Sequence, residues 1–251
     1  MAAQSNNEYS ARWNLTILML AIIGGSLDAI IYRAFHTMSG AQSGNTILLG
    51  VALAEGQFSL VRIRVFSFCG YVLGAAAGQV IVMRHHRPWP SAIGWLQVIA
   101  ITFLGGLLGF WRLSGAHPAP LAAYAISAAA AFVMGTQSAI VLDLPGEPPT
   151  TTYITGMLTR FVTNVVKFLH LIETEGTAPR EHQAGANGGQ APWIYGLTWL
   201  VYVAGATVGL VLFSHVREMA LLLPLGTAMV VFALSGTLPA RPDRMASDEP
   251  G

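Results

Sequence analysis

The sequence predicts an all-α integral membrane protein. Of its 251 residues, 53% are hydrophobic and only 10% are charged, whereas a soluble domain carries about 25% charged residues. So few charges cannot cover the surface of a soluble protein of this length. Apolar runs recur along the whole chain, and a membrane-spanning helix needs about 20 mostly apolar residues. Composition and run length therefore exclude a soluble globular protein.

Charge and cysteine content exclude further classes. The formal net charge is +1, which provides no long-range attraction for nucleic acid, so the expected surroundings are the lipid bilayer and not a nucleic-acid partner. Cys69 is the single cysteine, and an intramolecular disulfide is therefore impossible. Its apolar neighbours favour plain packing. Residues 1–13 are polar and no small-residue cleavage site follows the first apolar run, so a signal peptide is not expected.

Six stretches are long and apolar enough to cross a bilayer. They are residues 14–32, 65–83, 91–111, 120–142, 193–214 and 219–237. Two weaker segments, 43–54 and 153–172, follow the first and the fourth of them. The second weak segment carries Arg160, Lys167 and His170, which is not typical of a lipid-facing span. We therefore predict six full transmembrane helices plus two short, discontinuous or re-entrant helices.

Boundaries follow from polar and Gly-rich stretches. The predicted organisation is a cytoplasmic N-terminal tail at 1–13, a first membrane repeat at 14–112, a second at 119–237, and a polar C-terminal tail at 238–251. Residues 176–192, inside the second repeat, are typical of a flexible surface loop. With six spans, most Lys and Arg residues fall on the N-terminal side of the membrane. The positive-inside rule then predicts that both termini are cytoplasmic.

Three short strings recur in the same order in the two halves, which indicates an internal tandem duplication. The matched strings are Gly25–Ile30 with Gly135–Ile140, Ser43-Gly44 with Thr155-Gly156, and Tyr71–Gly78 with Tyr202–Gly209. Three spans per unit would invert the second unit relative to the first, whereas four would leave the units parallel. Inverted repeats with discontinuous helices are a recurring design of secondary transporters.

The same residues resemble a known family. The run Gly25-x-x-Asp28-Ala29, the string Ser43-Gly44-Asn45-Thr46 and the string Thr155-Gly156-x-Leu158-Thr159-Arg160 are similar to the YoaK-type family, the bacterial domain-of-unknown-function 1275 family. The similarity covers about residues 14–237. The family's Met-Ser/Thr-Gly-Asn string is altered here after Met38-Ser39-Gly40, and its Gln-Asn-Ala string is Gln137-Ser138-Ala139. The resemblance implies a multi-pass protein of the bacterial inner membrane and brings no established substrate.

Asp28 is the only acidic residue inside a strong predicted span. A carboxylate at that depth costs about 2.5–3.5 kcal/mol on insertion scales, so it is a functional candidate by default. It could couple a proton or cation, or anchor a polar group of a substrate. Alternatively, it is a helix-packing carboxylate that is hydrogen-bonded to a neighbouring hydroxyl or neutralised by Arg33 or Arg160.

The two weak segments begin with a hydroxyl followed by a glycine, which is the chemistry of a helix start. A helix start within the membrane directs free N–H groups and partial positive charge at a ligand. Arg160 either lines a cavity for a negative group or belongs to a basic face at the lipid headgroups. The alternative for both starts is an ordinary cap on a peripheral helix. The candidate binding residues are Asp28, Ser43, Gly44, Asn45, Thr46, Gln137, Thr155, Gly156 and Arg160.

Gly70, Gly74 and Gly78 form a small-residue stripe that lets helices approach closely. Packing within the chain is the simplest interpretation, and a homo-oligomer interface is the other. His85-His86 has no partner at metal-ligand spacing, and neither a phosphate-binding loop nor a nucleophile elbow is present. We therefore expect no enzyme activity, no metal and no cofactor.

The expected function is a secondary transporter or channel-like permease for a small polar or anionic solute, with its central site at the repeat interface. The alternative is a non-transporting membrane scaffold or assembly protein whose polar residues only pack helices. The two differ in a structural prediction. A transporter requires a water-accessible cavity around Asp28 and Gly156, whereas a scaffold leaves these residues dry and paired. The solute or ion stays unknown.

Overall fold

The chain is helical throughout the part that the structure describes. A computed structural model describes residues 2–84, 89–115, 118–142, 154–175, 192–236 and 238. Of residues 2–10, 89–91, 154, 167–175 and 192, the backbone alone is described. The predicted Gly-rich loop and most of the C-terminal tail lie outside these residues. The predicted N-terminal tail is helical from Ala2 and continues into the first span.

Eight α-helices and one 3-10 helix follow one another in the described ranges. In order they are α1 (Ala2–Phe35), α2 (Gln42–Ala54), α3 (Phe58–Arg84), α4 (Trp89–Ser114), α5 (Pro120–Leu142), α6 (Ile154–Glu175), α7 (Pro192–Val216), a short 3-10 helix (Arg217–Leu221) and α8 (Leu222–Ser235). No strand occurs in the described ranges, so the all-α prediction is confirmed for them.

Five segments are long and apolar enough to span a membrane. They are Ala11–Phe35, Phe58–Arg84, Ala92–Ser114, Pro120–Leu142 and Trp193–Ser235. The last is 43 residues long and contains the fifth predicted span and all but the last two residues of the sixth. Its α8 has only 14 residues, whereas a spanning helix needs about 20. The multi-pass architecture is therefore confirmed, while six separate spans are not.

Both weak segments form helices. α2 has 13 residues and packs against α3, and α6 has 22 residues and packs against α7. The predicted hydroxyl cap of α2 is wrong in register. Its capping residue is Ala41, which provides no side-chain hydrogen bond, and Ser43 lies exposed in the first turn. Thr155 and Gly156 lie in the first turn of α6, and the residues before Ile154 are outside the described ranges.

The protein is organised around α1 and α5. In their most apolar windows 67% and 72% of residues are buried, against 17–33% in the other spans. Asp28 and Gln137 therefore belong to the two central helices, and the remaining spans surround them. α1 packs mainly against α7 and α8, whereas α5 packs against α3 and α4.

The glycine stripe of α3 lies against α5 of the same chain. Gly70, Gly74 and Gly78 face Ala128, Phe132 and Thr136 in turn, so residue numbers rise together and the two helices run parallel. A methyl group on any of these glycines would overlap the α5 backbone. The stripe is thus occupied within the chain. A homo-oligomer would need a different surface and stays a prediction.

The pair α1–α7 repeats the contact of the pair α3–α5. A side chain on Gly25 would overlap the backbone at Tyr202 and Ala206, and one on Gly135 would overlap the backbone at Tyr71 and Ala75. Likewise, Gly205 and Gly209 lie against Ile22 and Ser26, as Gly74 and Gly78 lie against Phe132 and Thr136. In both pairs one helix comes from each half of the chain.

Candidate functional site

The chain is non-helical between α1 and α2, at residues 36–41. We call this segment the break. It starts at His36, whose φ of +55° lies in the left-handed region that non-glycine residues rarely adopt. Ser39 and Gly40 then donate hydrogen bonds to Asp28. Hence the break folds back beside the last two turns of α1, and α2 begins at the level of Asp28.

Asp28 accepts five hydrogen bonds and is only 6% exposed. Its Oδ1 accepts from the Ser39 amide at 2.7 Å, the Ser39 hydroxyl at 2.7 Å and the Gly40 amide at 2.6 Å. Its Oδ2 accepts from the Ala41 amide at 3.2 Å and from the Tyr202 hydroxyl at 2.6 Å. A carboxylate, with about four lone-pair sites and no donor, is the side chain suited to such a set.

Asp28 caps α2 in part, because it accepts from the amide of the capping residue Ala41, which has no partner within the helix. Its other two amide donors belong to the break before the helix. The positive end of the helix dipole also favours a carboxylate at this place. Among the described residues, the partners of Asp28 are Ser39, Gly40, Ala41 and Tyr202, so neutralisation by Arg33 or Arg160 is not observed. The two hydroxyl donors, from Ser39 and Tyr202, fit the other part of the packing interpretation.

Asn45 closes the opposite side of the break and is 2% exposed. Its Oδ1 accepts from the Met38 amide at 2.8 Å and from the Thr37 hydroxyl at 3.2 Å. Its Nδ2 donates to the Met38 carbonyl at 2.7 Å and to Gln42 Oε1 at 3.0 Å. The amide therefore satisfies a donor and an acceptor of the same backbone unit.

Two α3 side chains complete the arrangement. The Ser67 hydroxyl donates to the Met38 carbonyl at 2.8 Å. Arg64 Nη1 donates to the Leu48 carbonyl at 2.6 Å, and the guanidinium reaches the His36 carbonyl at 3.4 Å. Non-helical backbone at membrane depth is tolerated only where protein or water satisfies it. Here protein does, through a set that we call the clamp: Asp28, Asn45, Arg64, Ser67 and Tyr202.

The other predicted residues of α2 lie outside the clamp. Ser43 and Thr46 are exposed, and the Thr46 hydroxyl bonds the Gln42 carbonyl of its own helix. Gly44 leaves room for the side chain of Met38, because a Cβ there would lie 3.1 Å from its Sδ. These residues shape the first turn of α2 and make no contact that resembles a binding site.

The predicted residues of α6 lie elsewhere in the bundle. Thr155 is exposed and Gly156 is half-buried. The guanidinium of Arg160 is 6.0 Å from the ring centre of Tyr195 on α7, within cation–π range. In the described part of the chain no hydrogen bond joins Asp28 or Asn45 to α6. The structure thus does not bring the two helix starts together in one site.

Gln137 on α5 and Gln97 on α4 are buried amides outside the clamp. Gln137 Nε2 donates to the Leu20 carbonyl at 3.1 Å and so links α5 to α1. Gln97, on α4, is completely buried, and within the described residues neither its Oε1 nor its Nε2 has a hydrogen-bond partner. Such unsatisfied groups are rare in native structures and require an explanation.

The comparisons with known proteins identify the family. A family model described as "Protein of unknown function (DUF1275)" matches residues 16–234.

The chain belongs to the DUF1275 family. The resemblance seen in the sequence is therefore confirmed. A UPF0700 transmembrane protein of Rhizobium meliloti is 28% identical over 226 residues, which cover 90% of this chain and 87% of the relative. No solved structure matches the chain. Family and relative agree with a multi-pass membrane protein and assign no activity.

Several clamp residues of this DUF1275 protein were not singled out from the sequence. From the sequence, Tyr202 stands out only as part of a repeated string, and Arg64 lies before the predicted span 65–83. Arg64 is instead buried within α3, which begins seven residues before the predicted span. Ser39 and Gly40 did give a signal, since they lie in the altered family string.

The clamp is closed. Asp28 and Asn45 are buried and every polar atom of their side chains has a partner, which is the arrangement expected of packing residues. Chemically, the clamp can hold α2 against α1 and α3 and can tie them to α7 through Tyr202. The Asp28–Tyr202 bond joins α1 to α7, between residues 174 positions apart.

Proposed function

We propose that the protein is a secondary transporter or channel-like permease for a small polar or anionic solute. It would lie in the bacterial inner membrane with both termini in the cytoplasm and would act without enzyme chemistry. The solute path would follow the interface between two inverted repeats. The observation that carries this proposal is a close glycine–backbone contact that occurs twice, once between Gly25 and Tyr202 and once between Gly135 and Tyr71.

That contact supports a duplication in which each repeat packs on the other. Gly25 and Gly135 are 110 positions apart, and their partners Tyr71 and Tyr202 are 131 positions apart, as the repeated strings require. A pseudo-two-fold axis produces such reciprocal contacts, because each half presents the same two surfaces. α3 and α5 run parallel, and α5 is the repeat equivalent of α1. If α1 and α3 cross the membrane in opposite directions, α5 runs opposite to α1, as an inverted second repeat requires.

The break supports the same function. Transporters of inverted-repeat design place discontinuous helices at the repeat interface near the midplane. Here the break lies beside Asp28 on the central helix α1. The Asp28 carboxylate accepts a hydrogen bond from Tyr202 of the other half. We assign Asp28 the role of a latch, by which we mean that its hydrogen bond to Tyr202 holds the two halves together in the conformation described here. It is thus not a direct ligand of the solute in this state.

Buried amides are the proposed solute ligands. α4 and α5 are joined by a short connection, and Phe103 of α4 stacks on Phe132 of α5 at 4.6 Å between ring centres. The two helices are antiparallel, so the residue six positions before Phe103 lies at the level of the residue six positions after Phe132. These two residues are Gln97 and Ser138. Ser138 is the repeat equivalent of Asp28, and Gln137 is its neighbour. The unpaired and completely buried amide of Gln97 would bind a polar solute that enters the bundle at this level.

A scaffold or assembly protein is the second candidate. The closed pairing of Asp28 and Asn45 favours it, because residues that only pack helices are expected to be dry and satisfied. A scaffold needs no pathway to water at either helix start. Water access therefore separates the two candidates.

The test is cysteine labelling in intact membranes with a membrane-impermeant thiol reagent added from either side. Cys69 is first replaced by serine. Single cysteines are then introduced at Thr46 and Thr155, whose side chains are exposed at the starts of α2 and α6 and belong to no clamp bond. Leu73→Cys is the matched control, since Leu73 is 64% exposed in the middle of the span α3.

A transporter predicts labelling at position 46 from outside, labelling at position 155 from inside, and none at position 73. Absence of labelling at both 46 and 155, in protein that remains folded, would favour the scaffold. Labelling of both positions from the same side would contradict the inverted arrangement and leave no basis for alternating access around these helix starts.

A further inference from the structure

A cavity of about 300 Å³ opens at the end of the bundle where α1 and α7 end and α5 begins. It is separate from the clamp and from the buried amides. Its polar and aromatic lining consists of Arg33, Phe35, Trp111, Phe213, Arg217 and Glu218. Sites for small molecules are concave, begin at about this size, and combine apolar walls with a few polar groups.

The charged side chains that line the cavity form no hydrogen bond or ion pair with the other described residues. Arg33 lies in the last turn of α1, and Arg217 lies at the start of the 3-10 helix, so two guanidinium groups reach the cavity from different elements. Within the described residues, neither arginine has a hydrogen bond or an ion pair, and neither does Glu218. Two positive charges and one negative charge leave the lining with an excess of one positive charge.

The wall of the cavity is aromatic, and its neighbouring rings are tilted by 38° and 47° against one another. The rings of Phe35 and Trp111 lie 5.0 Å apart, and those of Trp111 and Phe213 lie 5.9 Å apart. Phe35 and Trp111 are 9% and 3% exposed, so their positions are set by packing and not by solvent. Phe213 is half-buried, so an apolar group in the cavity can contact its ring, while Phe35 and Trp111 support that ring from behind.

Arg217 has a backbone conformation that non-glycine residues rarely adopt. Its φ is +50°, in a region that a long non-glycine side chain rarely occupies. Residues held in this way cluster at functional sites, where the surrounding structure imposes the conformation. Here the strain occurs where α7 gives way to the 3-10 helix, beside the cavity.

We propose that this cavity binds a small organic anion with one carboxylate and a flat apolar body. The guanidinium groups are suited to a carboxylate, which they can bind through paired N–H donors. The aromatic wall is suited to the apolar body. The single excess positive charge matches a monovalent ligand. Binding here does not require transport, so it goes beyond the function proposed above and is tested separately.

The direct test uses the purified full-length protein in detergent and radiolabelled benzoate as the probe, measured by scintillation proximity. Saturable binding of one benzoate per chain is expected. Unlabelled benzoate should compete, whereas benzamide, which has the same shape without the charge, should not. Failure of the folded wild-type protein to bind benzoate, or equal competition by benzamide, overturns the proposal.

Variants locate the binding. Arg33→Gln and Arg217→Asn should each weaken benzoate binding about tenfold or more, because each removes a charge-assisted donor. Asparagine suits position 217 because it tolerates positive φ. Glu218→Gln should strengthen binding several-fold, since it removes the like charge. Arg62→Gln, an exposed arginine of α3 outside the cavity, is the matched control and should bind as the wild type does.

Each variant is first shown to elute as a single folded species. If Arg33→Gln and Arg217→Asn both bind as the control does, benzoate binds elsewhere and the cavity proposal is wrong. Thiol labelling at positions 46 and 155 reports on the transporter proposal, and neither residue lines this cavity. The two proposals can therefore fail independently.

Discussion

At the scale of single residues, Asp28 shows how a carboxylate becomes tolerable inside a membrane protein. Its insertion costs a few kcal/mol on biological scales, but three backbone amides of the break would each cost several kcal/mol if left unpaired in hydrocarbon. Asp28 satisfies those amides, and they in turn solvate the carboxylate. The charge and the break thus stabilise each other.

Graded substitutions of this bond network have a predicted order. Tyr202→Phe removes one hydrogen bond to a charged acceptor and should cost about 1.5–3 kcal/mol. Asp28→Asn keeps one acceptor oxygen, whereas Asp28→Ala removes both, so Ala should destabilise more than Asn. Thermal unfolding in detergent gives the order. Tyr71→Phe is the matched control, because the Tyr71 hydroxyl has no hydrogen bond in the described part of the chain. Equal unfolding temperatures for Tyr202→Phe and Tyr71→Phe would show that the latch contributes nothing.

At the scale of elements, the helix pairs α1–α7 and α3–α5 are held by backbone contact at glycines. Gly25 and Gly135 occupy equivalent places in the two pairs, and each admits the carbonyl of a tyrosine from the facing helix. In membranes, helix association depends on such close packing, because lipid is as apolar as the side chains. A side chain at either position must separate the helices.

Gly25→Ala and Gly135→Ala are therefore expected to destabilise the protein by about 1–3 kcal/mol each, the usual range for overpacking. Gly106→Ala on α4 is the control, since no atom lies within 4 Å of the position that its Cβ would take. It should be neutral or slightly stabilising, by up to about 1 kcal/mol, from helix propensity. Loss of the folded peak in size-exclusion chromatography on heating measures all three. If the two central variants are as stable as the control, the helices do not depend on this contact.

At the scale of the whole molecule, the two halves share one core. α1 finds its partners α7 and α8 in the second half, and α3 packs on α5 across the same boundary. The halves meet in the sequence between Gly115 and Pro118, at the connection of α4 and α5. Neither half can bury its central helix alone.

We therefore expect residues 1–115 and 118–251, expressed as two chains, to accumulate and copurify only when they are produced together. Each half alone should be degraded or aggregated, because its central helix lacks partners. Gly135→Leu in the second half should abolish copurification, whereas Gly226→Leu, at a position with open space around its Cβ, should not. A stable, monodisperse half on its own would contradict a shared core.

The sequence by itself determined the membrane class, the approximate extent of the apolar segments, the two weak helices and the unusual place of Asp28. These features depend on composition and on local sequence, because the thickness of the bilayer sets the length of apolar run that a spanning helix needs. The repeated strings also came from the sequence alone. Their meaning did not, because short Gly/Ala strings do not reveal which helices they join.

Only the tertiary structure decided what these residues touch. The partners of Asp28 are 11 to 13 residues away in the break and 174 residues away at Tyr202. The burial of Arg64 likewise depends on carbonyls of α2 and the break, and that of Gln97 on packing around α4. Hydrogen bonds across such separations depend on how helices pack and in which register. No local average of hydropathy or charge contains that information.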